Sequence, residues 1–322
     1  NMATIKDVAR ETGVSAMTVS RFFNEPDKLK PKTYEKIKLA VEKLDYQPNV
    51  MAKLLATRKT NIICVYIADD IGALHPFNLQ AIAGIAEKLG ENGYSMMLCR
   101  DTYEKQNCDG IIAMGLAKEQ EEELVNRSKE KAVIMFGNNN QSTNWVDIDN
   151  YKGSFMATEH MINCGYKTIG YMGIDNKQRY SDQRHQGYLD CMKKYGMEIP
   201  KFADIKVHNH EEDGYKGAHI IFENGMVDGV VCASDVLALG VSRYANEQNI
   251  NVPSQLGITG FDGLGYEKLA TPNITTIHQP VYEAGKFIAE RMVEVLNAGE
   301  YTGTEKFIEP ILKVNGSTTN IK

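Results

Sequence analysis

Chemical signatures are what this sequence has least of. Its six cysteines, Cys64, Cys99, Cys108, Cys164, Cys191 and Cys232, include no CxxC pair. Most stand in apolar runs where a free cysteine serves as a small hydrophobe, so no thiol site is indicated. The seven histidines fall into no metal-ligand spacing. There is no GxSxG elbow, no GxxxxGKS/T phosphate loop and no GxGxxG opening a helix after the first strand-like run. Hydrolase, nucleotide-dependent and dinucleotide-dependent chemistry therefore lack their usual marks, and nothing nominates a nucleophile. The chain is expected not to be an enzyme and to need no cofactor or metal. No apolar stretch of leader or membrane-span length occurs, and unpaired cysteines suit a reducing interior, so a cytoplasmic location without a membrane partner is expected. Asn1 ahead of Met2 reads as an expression scar and is set aside.

What is present divides at about residue 60. The first part reads as three short helices. Thr4 stands three residues before Asp7, a capping-box spacing for a helix that buries Ile5, Val8 and Ala9, and Gly13 stops it. Ser15 is placed to cap a second helix whose inward face is Val19 and Phe22, leaving Ala16, Met17, Ser20 and Arg21 outward. Pro31 suits the first turn of a third helix with Ile37, Ala40, Val41 and Leu44 as its apolar stripe, and Pro48 is expected to end it. Residues 1–60 hold 12 Lys+Arg against 7 Asp+Glu, a net of +5, which leaves −11 for the rest of a chain whose total is −6. An acidic total thus conceals a basic head, and phosphate contacts respond to that local sign. Small residues at the start of an outward helix face, with an arginine a turn later, are what a helix entering the major groove requires.

Beyond residue 60, short β-branched runs alternate with amphipathic helices. NIICVYIA, YSMMLC, GIIAMG, AVIMFG, TIGYMG, GVVCAS and LGITGF read as buried strands. That alternation implies parallel sheets covered by helices on both faces. A body of this size is more than one sheet usually organises, so two doubly wound subdomains are expected. One place breaks the pattern. Parallel strands need a crossover of about a dozen residues, yet only about ten separate the Tyr94–Cys99 run from the Gly110–Met114 run, with no apolar helical face. A segment near Tyr103 to Gln106 is therefore expected to be absent from this chain.

The head resembles that of the lactose-repressor family of bacterial regulators. Asp7, Val8, Ala9, Gly13, Val14, Ser15, Thr18, Val19, Ser20, Arg21 and Asn24 stand where the family pattern puts them, and the likeness runs through DYQPNVMAKLLATRKT into the body. The resemblance implies a helix-turn-helix domain over residues 1–48, a hinge over 49–60, and a periplasmic-binding-protein-like body over 61–322. It also implies three chain crossings, near Asn150, Gln279 and Pro310. One subdomain then comprises 61–149 and 280–309, the other 150–279 and 310–322. Carried over by position, Ala16, Met17 and Arg21 would face bases, while Thr4, Ser15, Thr18, Ser20 and Asn24 would hold phosphates. Met17 offers only apolar contact to a base edge, and Phe22, Phe23 and Tyr34 depart from the pattern. In the family a hinge helix pairs with its twin in a homodimer and presses a leucine into the minor groove. Leu55 matches that leucine, with Ala52 and Lys53 beside it.

Ligands of doubly wound sheets bind at the carboxyl ends of their strands. The residues that come just after strands are His75, Phe77, Asn78 and Asn138 in the first lobe, and Arg184, Asp235 and Asp262 in the second. The resemblance assigns effector binding to Arg184 and Asp262. Their guanidinium and carboxylate make paired hydrogen bonds, which suits the vicinal hydroxyls of a sugar. A weaker alignment puts Glu212 where relatives carry an aromatic against the effector. The expected partners are double-stranded operator DNA, a small polar effector and a second copy of the chain. Two alternatives stay open: a catabolite-control-type regulator whose corepressor is a phosphorylated carrier protein, and a cytoplasmic sugar-binding module.

Overall fold

The computed structural model describes residues 3–46, 59–68, 75–100, 107–127, 131–139, 144–298 and 303–321. The chain divides into two compact units, Asn1–Thr60 and Asn61–Lys322.

In the first unit, α1 (Ile5–Thr12), α2 (Ala16–Asn24) and α3 (Pro31–Lys43) enclose Val8, Val19, Ile37, Ala40 and Tyr46. The expected caps form. Asp7 Oδ2 accepts from Thr4 N at 2.9 Å and from Thr4 Oγ1 at 2.6 Å. Gly13 closes α1 in the left-handed region at φ 62°, where only glycine sits without a Cβ penalty. Pro31 opens α3, where its missing N–H leaves no helical bond unmade. Pro48 is not what ends α3. The helix stops at Lys43 because Asp45 turns to φ 46°, letting Asp45 N reach Glu42 O and Tyr46 N reach Val41 O. Phe22, Phe23 and Tyr34, the family departures, pack together: Phe22 lies 4.9 Å from Phe23 and 4.7 Å from Tyr34 between ring centroids. Residues 49–58 of the hinge, Lys53 and Leu55 among them, lie outside the described residues.

The second unit contains two sheets with the same strand order. The first takes β1 (Ile62–Ile67), β2 (Ser95–Cys99), β3 (Gly110–Met114), β4 (Ala132–Phe136), β5 (Asn144–Ile148) and β11 (Glu305–Ile308), arranged β2-β1-β3-β4-β5-β11 and parallel throughout. The second takes β6 (Ile169–Ile174), β7 (Asp204–Val207), β8 (Gly229–Cys232), β9 (Gly257–Asp262), β10 (Thr275–His278) and β12 (Ile311–Lys313), arranged β7-β6-β8-β9-β10-β12 with only β12 antiparallel. Each sheet therefore borrows its sixth strand from the C-terminal part of the chain. The seven apolar runs became seven of these strands. Residues 101–106, where a missing segment is expected, lie outside the described residues.

Helices cover the sheets: α4 (Pro76–Glu91), α5 (Lys118–Arg127) and α10 (Val281–Ala298) in the first lobe, and α6 (Asn150–Cys164), α7 (Arg179–Lys194), α8 (Glu211–Asn224) and α9 (Asp235–Glu247) in the second. The helix pairs approach closely at glycines. A Cβ on Gly84 of α4 would meet Tyr282 O of α10 at 2.1 Å, and one on Gly240 of α9 would meet Glu211 O of α8 at 2.2 Å. Such contacts fix the helices rigidly, so the loops at the strand ends sit on a firm frame.

Candidate functional site

The order of each sheet reverses beside its first strand, at β1 in one lobe and β6 in the other. Ligands of such sheets bind at that switch point, outside the carboxyl ends of the strands. His75 caps α4 directly after the β1 loop, its Nδ1 accepting from Phe77 N at 3.3 Å. Phe77 turns towards its own lobe, 5.0 Å from Phe136 between ring centroids, and Asn78 is fully buried on α4. Asn138 follows β4, and its backbone N–H donates to Asp147 Oδ2 at 2.9 Å.

The second lobe holds a buried polar cluster centred on Arg184. Its Nε donates to Asn150 Oδ1 at 2.9 Å, and its Nη1 donates to Ala233 O at 2.7 Å and lies 3.5 Å from Asp262 Oδ1. The guanidinium carbon stands 3.7 Å from the Phe261 ring centroid and 4.9 Å from that of Tyr180. Asp262 also accepts from Gln279 Nε2 at 2.7 Å. Its backbone is held at φ 119°, a conformation that a residue with a Cβ tolerates only when its surroundings enforce it. Asp235 at the start of α9 accepts from Thr276 Oγ1 at 2.6 Å and from Gly263 N at 2.7 Å. Its two oxygens thus serve to hold β9 and β10 together.

Burial raises the carboxyls of Asp235 and Asp262. The nearby Asp262 charge pushes Asp235 further up, while Arg184, His75 and Gln279 pull Asp262 back down. Burial pushes Asp147, at the end of β5, up to about 6, opposed by the N–H groups of Asn138 and Ile148 and by the Arg184 charge. Titratable groups of both lobes therefore feel one another through Arg184 and His75.

Three of these residues lie beside the points where the chain passes between sheets. Asp147 is the last but one residue of β5, Asn150 begins α6, and Gln279 follows β10. Their types alone gave no signal. Nor did the sequence reveal Glu121 of α5 and Arg179 of α7, which join the lobes: Arg179 Nε and Nη2 reach Glu121 Oε2 at 3.1 and 2.8 Å. Glu212 stands apart from the cluster. It is exposed, and its carboxylate pairs with Arg243 at 2.7 Å and Lys216 at 3.7 Å, so Arg243 holds it below the usual carboxylate range.

In the head, Ser15 Oγ accepts from Thr18 N at 3.1 Å and lies 2.9 Å from Thr18 Oγ1, so both hydroxyls cluster at the start of α2. Met17 is 71% exposed, Arg21 is exposed, and Ala16 and Ser20 are half-buried. Thr4 is exposed at the start of α1, and Asn24 ends α2. Among the described residues no cluster of His, Cys, Asp or Glu is arranged to hold a metal ion, and no helix is long and apolar enough to cross a membrane.

Comparison with known proteins matches this arrangement. Residues 4–49 fit the model of bacterial regulatory proteins of the lacI family, and residues 158–318 fit that of the periplasmic binding protein-like domain. The uncharacterized HTH-type transcriptional regulator YvdE of Bacillus subtilis is 32% identical over 319 residues, covering 98% of this chain and all of its own. The solved lac repressor dimer bound to operator and the anti-inducer ONPF superposes with a TM-score of 0.85 over 99% of this chain and 100% of its own, at 20% identity. The transcriptional regulator CelR in complex with cellobiose does so with a TM-score of 0.73 over 98% and 99%, at 24% identity.

Proposed function

Because this chain belongs to the lacI family of bacterial regulatory proteins, and is a DNA-binding transcriptional regulator rather than an enzyme, we propose that it is a repressor of carbohydrate-utilisation genes released or engaged by a sugar-like effector. The observation that carries this reading is the buried Arg184–Asp262 pair, set at the strand ends beside the residues that link the two lobes. An arginine and a carboxylate held by a shared framework present donors and acceptors to a polyhydroxyl ligand. The cellobiose bound by CelR is consistent with that ligand class.

On this reading residues 1–48 form the operator-binding domain, with Ala16, Met17 and Arg21 towards bases and Thr4, Ser15, Thr18, Ser20 and Asn24 towards phosphates. Residues 49–60 form the hinge, with Lys53 and Leu55 at the minor groove. Residues 61–322 form the effector-binding and dimerising body, whose effector contacts include His75, Phe77, Asn78, Asn138 and Asp235 beside the central pair. Two-fold symmetry of a homodimer calls for a pseudo-palindromic operator. Effector and operator affinities are then linked, by about 1–3 kcal/mol in typical cases. The protein works in the cytoplasm.

The test uses the full chain. A selection from random duplexes identifies an operator, and binding to it is measured against salt with and without a panel of mono- and disaccharides and their phosphates. A saccharide that stabilises the protein and shifts operator affinity, with both effects abolished in Asp262→Asn, supports the reading. Absence of salt-sensitive binding to any duplex would overturn it.

A further inference from the structure

Two buried amides hold the two halves of the Arg184–Asp262 pair, and each stands where the chain crosses between lobes. Asn150 begins α6, directly after the crossing from β5 of the first sheet. Gln279 follows β10 of the second sheet and precedes α10, which packs on α4 of the first lobe. Each is only 2% exposed.

Asn150 serves both lobes. Its Oδ1 accepts from Arg184 Nε at 2.9 Å, and its Nδ2 donates to Ile148 O, at the end of β5, at 2.9 Å. Arginine has only donors and a carbonyl oxygen only accepts, so the group between them must offer one of each, as an amide does. Gln279 holds Asp262 twice. Its backbone N–H donates to Asp262 O at 2.9 Å, and its Nε2 donates to Asp262 Oδ1 at 2.7 Å. Those two bonds restrain the residue that stands at φ 119°.

With Arg184 Nη1 3.5 Å from Asp262 Oδ1, these contacts form one line that runs from Ile148 through Asn150, Arg184 and Asp262 to Gln279. The line begins at the first crossing, ends at the second, and is buried along its whole length. Breaking any link strands a polar group away from water, so the members favour moving together over parting. The third crossing, between β11 and β12, joins the first directly: Asp149 N–H donates to Ile308 O at 3.1 Å, and Lys152 pairs with Glu309.

We propose that Asn150 and Gln279 are positioning residues that tie the Arg184–Asp262 pair to the first and second crossings, so that the pair and both crossings shift as one unit. The role rests on Arg184 and Asp262 binding the effector as described above. A ligand that bonds to the guanidinium or to the carboxylate then acts on both crossings at once, through contiguous bonded groups. The third crossing follows the first through Asp149 and Ile308.

The test is hydrogen exchange, resolved to single residues, on the full chain without added ligand. Asn150→Ala should quicken exchange of the Gln279 amide several-fold. Gln279→Met, which keeps the length of the side chain but has no donor, should quicken the Asp149 amide likewise. Either substitution tests the line on its own, should the other fail to fold. Amides of the core strand β8 should keep their rates, which separates the effect from a general loss of stability. Asn150→Asp restores the oxygen that Arg184 needs and should return the Gln279 amide to its slow rate, in an Asp147→Asn background so that two carboxylates do not meet. Lys152→Ala, beside the first crossing but outside the line, should leave Gln279 unchanged. Quickening confined to the substituted crossing, equal quickening in β8, or no recovery with Asn150→Asp would overturn the linkage. Because no ligand is added, the linkage can stand where the saccharide test of the effector reading fails, and can fail where that test succeeds.

Discussion

Arg184 stacks over Phe261, with its guanidinium carbon 3.7 Å from the ring centroid, while its nitrogens reach Asn150, Ala233 and Asp262. The ring covers one face of the cation and the polar groups meet its edge, which is how a charge survives 4% exposure. Arg184→Ala leaves two raised carboxyls, Asp147 and Asp262, without their shared cation. The expected cost is about 3–5 kcal/mol by chemical denaturation. Since Asp262 is one of those carboxyls, Arg184→Ala combined with Asp262→Ala should cost less than the sum of the two. Strict additivity would show that the 3.5 Å pair carries no coupling.

The Glu121–Arg179 pair crosses between lobes and is largely shielded on the Glu121 side. Glu121→Gln keeps the size of the side chain but removes its charge. A loss of about 1 kcal/mol is expected after allowance for the partly exposed arginine, or about 2–4 °C in melting temperature for a domain of this size. Hydrogen exchange at the start of α7 should quicken in the variant when no effector is added. Unchanged exchange there would mean that the pair does not hold the lobes together.

How much of this was legible follows from where the physics is local. Thr4, Gly13, Ser15 and Pro31 act on backbone groups within one turn, so the head helices could be read from spacing, and the end of α3 was missed because Asp45 is no obvious left-handed residue. The strands read correctly are apolar runs, buried on both faces except for the partly exposed edge strand β2. Those missed, β5, β7, β10, β11 and β12, are short or mixed, such as NWVDI and TTIH, and owe their pairing to a neighbour. Asp262 ends β9 and Arg184 lies within α7, and it was the family resemblance that named them. Asn150, Gln279 and the Glu121–Arg179 pair acquire roles only when distant segments meet.

For the head, Arg21 offers the clearest test. It is exposed on α2, 3.8 Å from Glu25. If it reads a base, Arg21→Ala should weaken binding to the selected operator by about 1–3 kcal/mol and relax preference at one base pair, with little change in salt dependence. Met17→Ala should cost less, since Met17 has no hydrogen-bond donor to lose. A uniform loss across all duplexes with a shallower salt slope would place Arg21 on a phosphate instead.

Asp147 predicts an acid-side signature. Its folded value of about 6 lies above the ordinary 3.8, so between those limits the native state binds a proton that the unfolded state releases. The penalty for ionising it is absent below about pH 4, grows as pH rises through the folded value, and reaches about 3 kcal/mol by neutrality. Asp147→Asn removes this titration. The variant should therefore gain stability relative to wild type as pH rises from 4 to 7, and the two should converge at the acid end apart from a constant offset. Urea denaturation at four pH values across that range measures the difference directly. A difference that stays constant with pH would show that Asn138, Ile148 and Arg184 keep Asp147 ionised throughout.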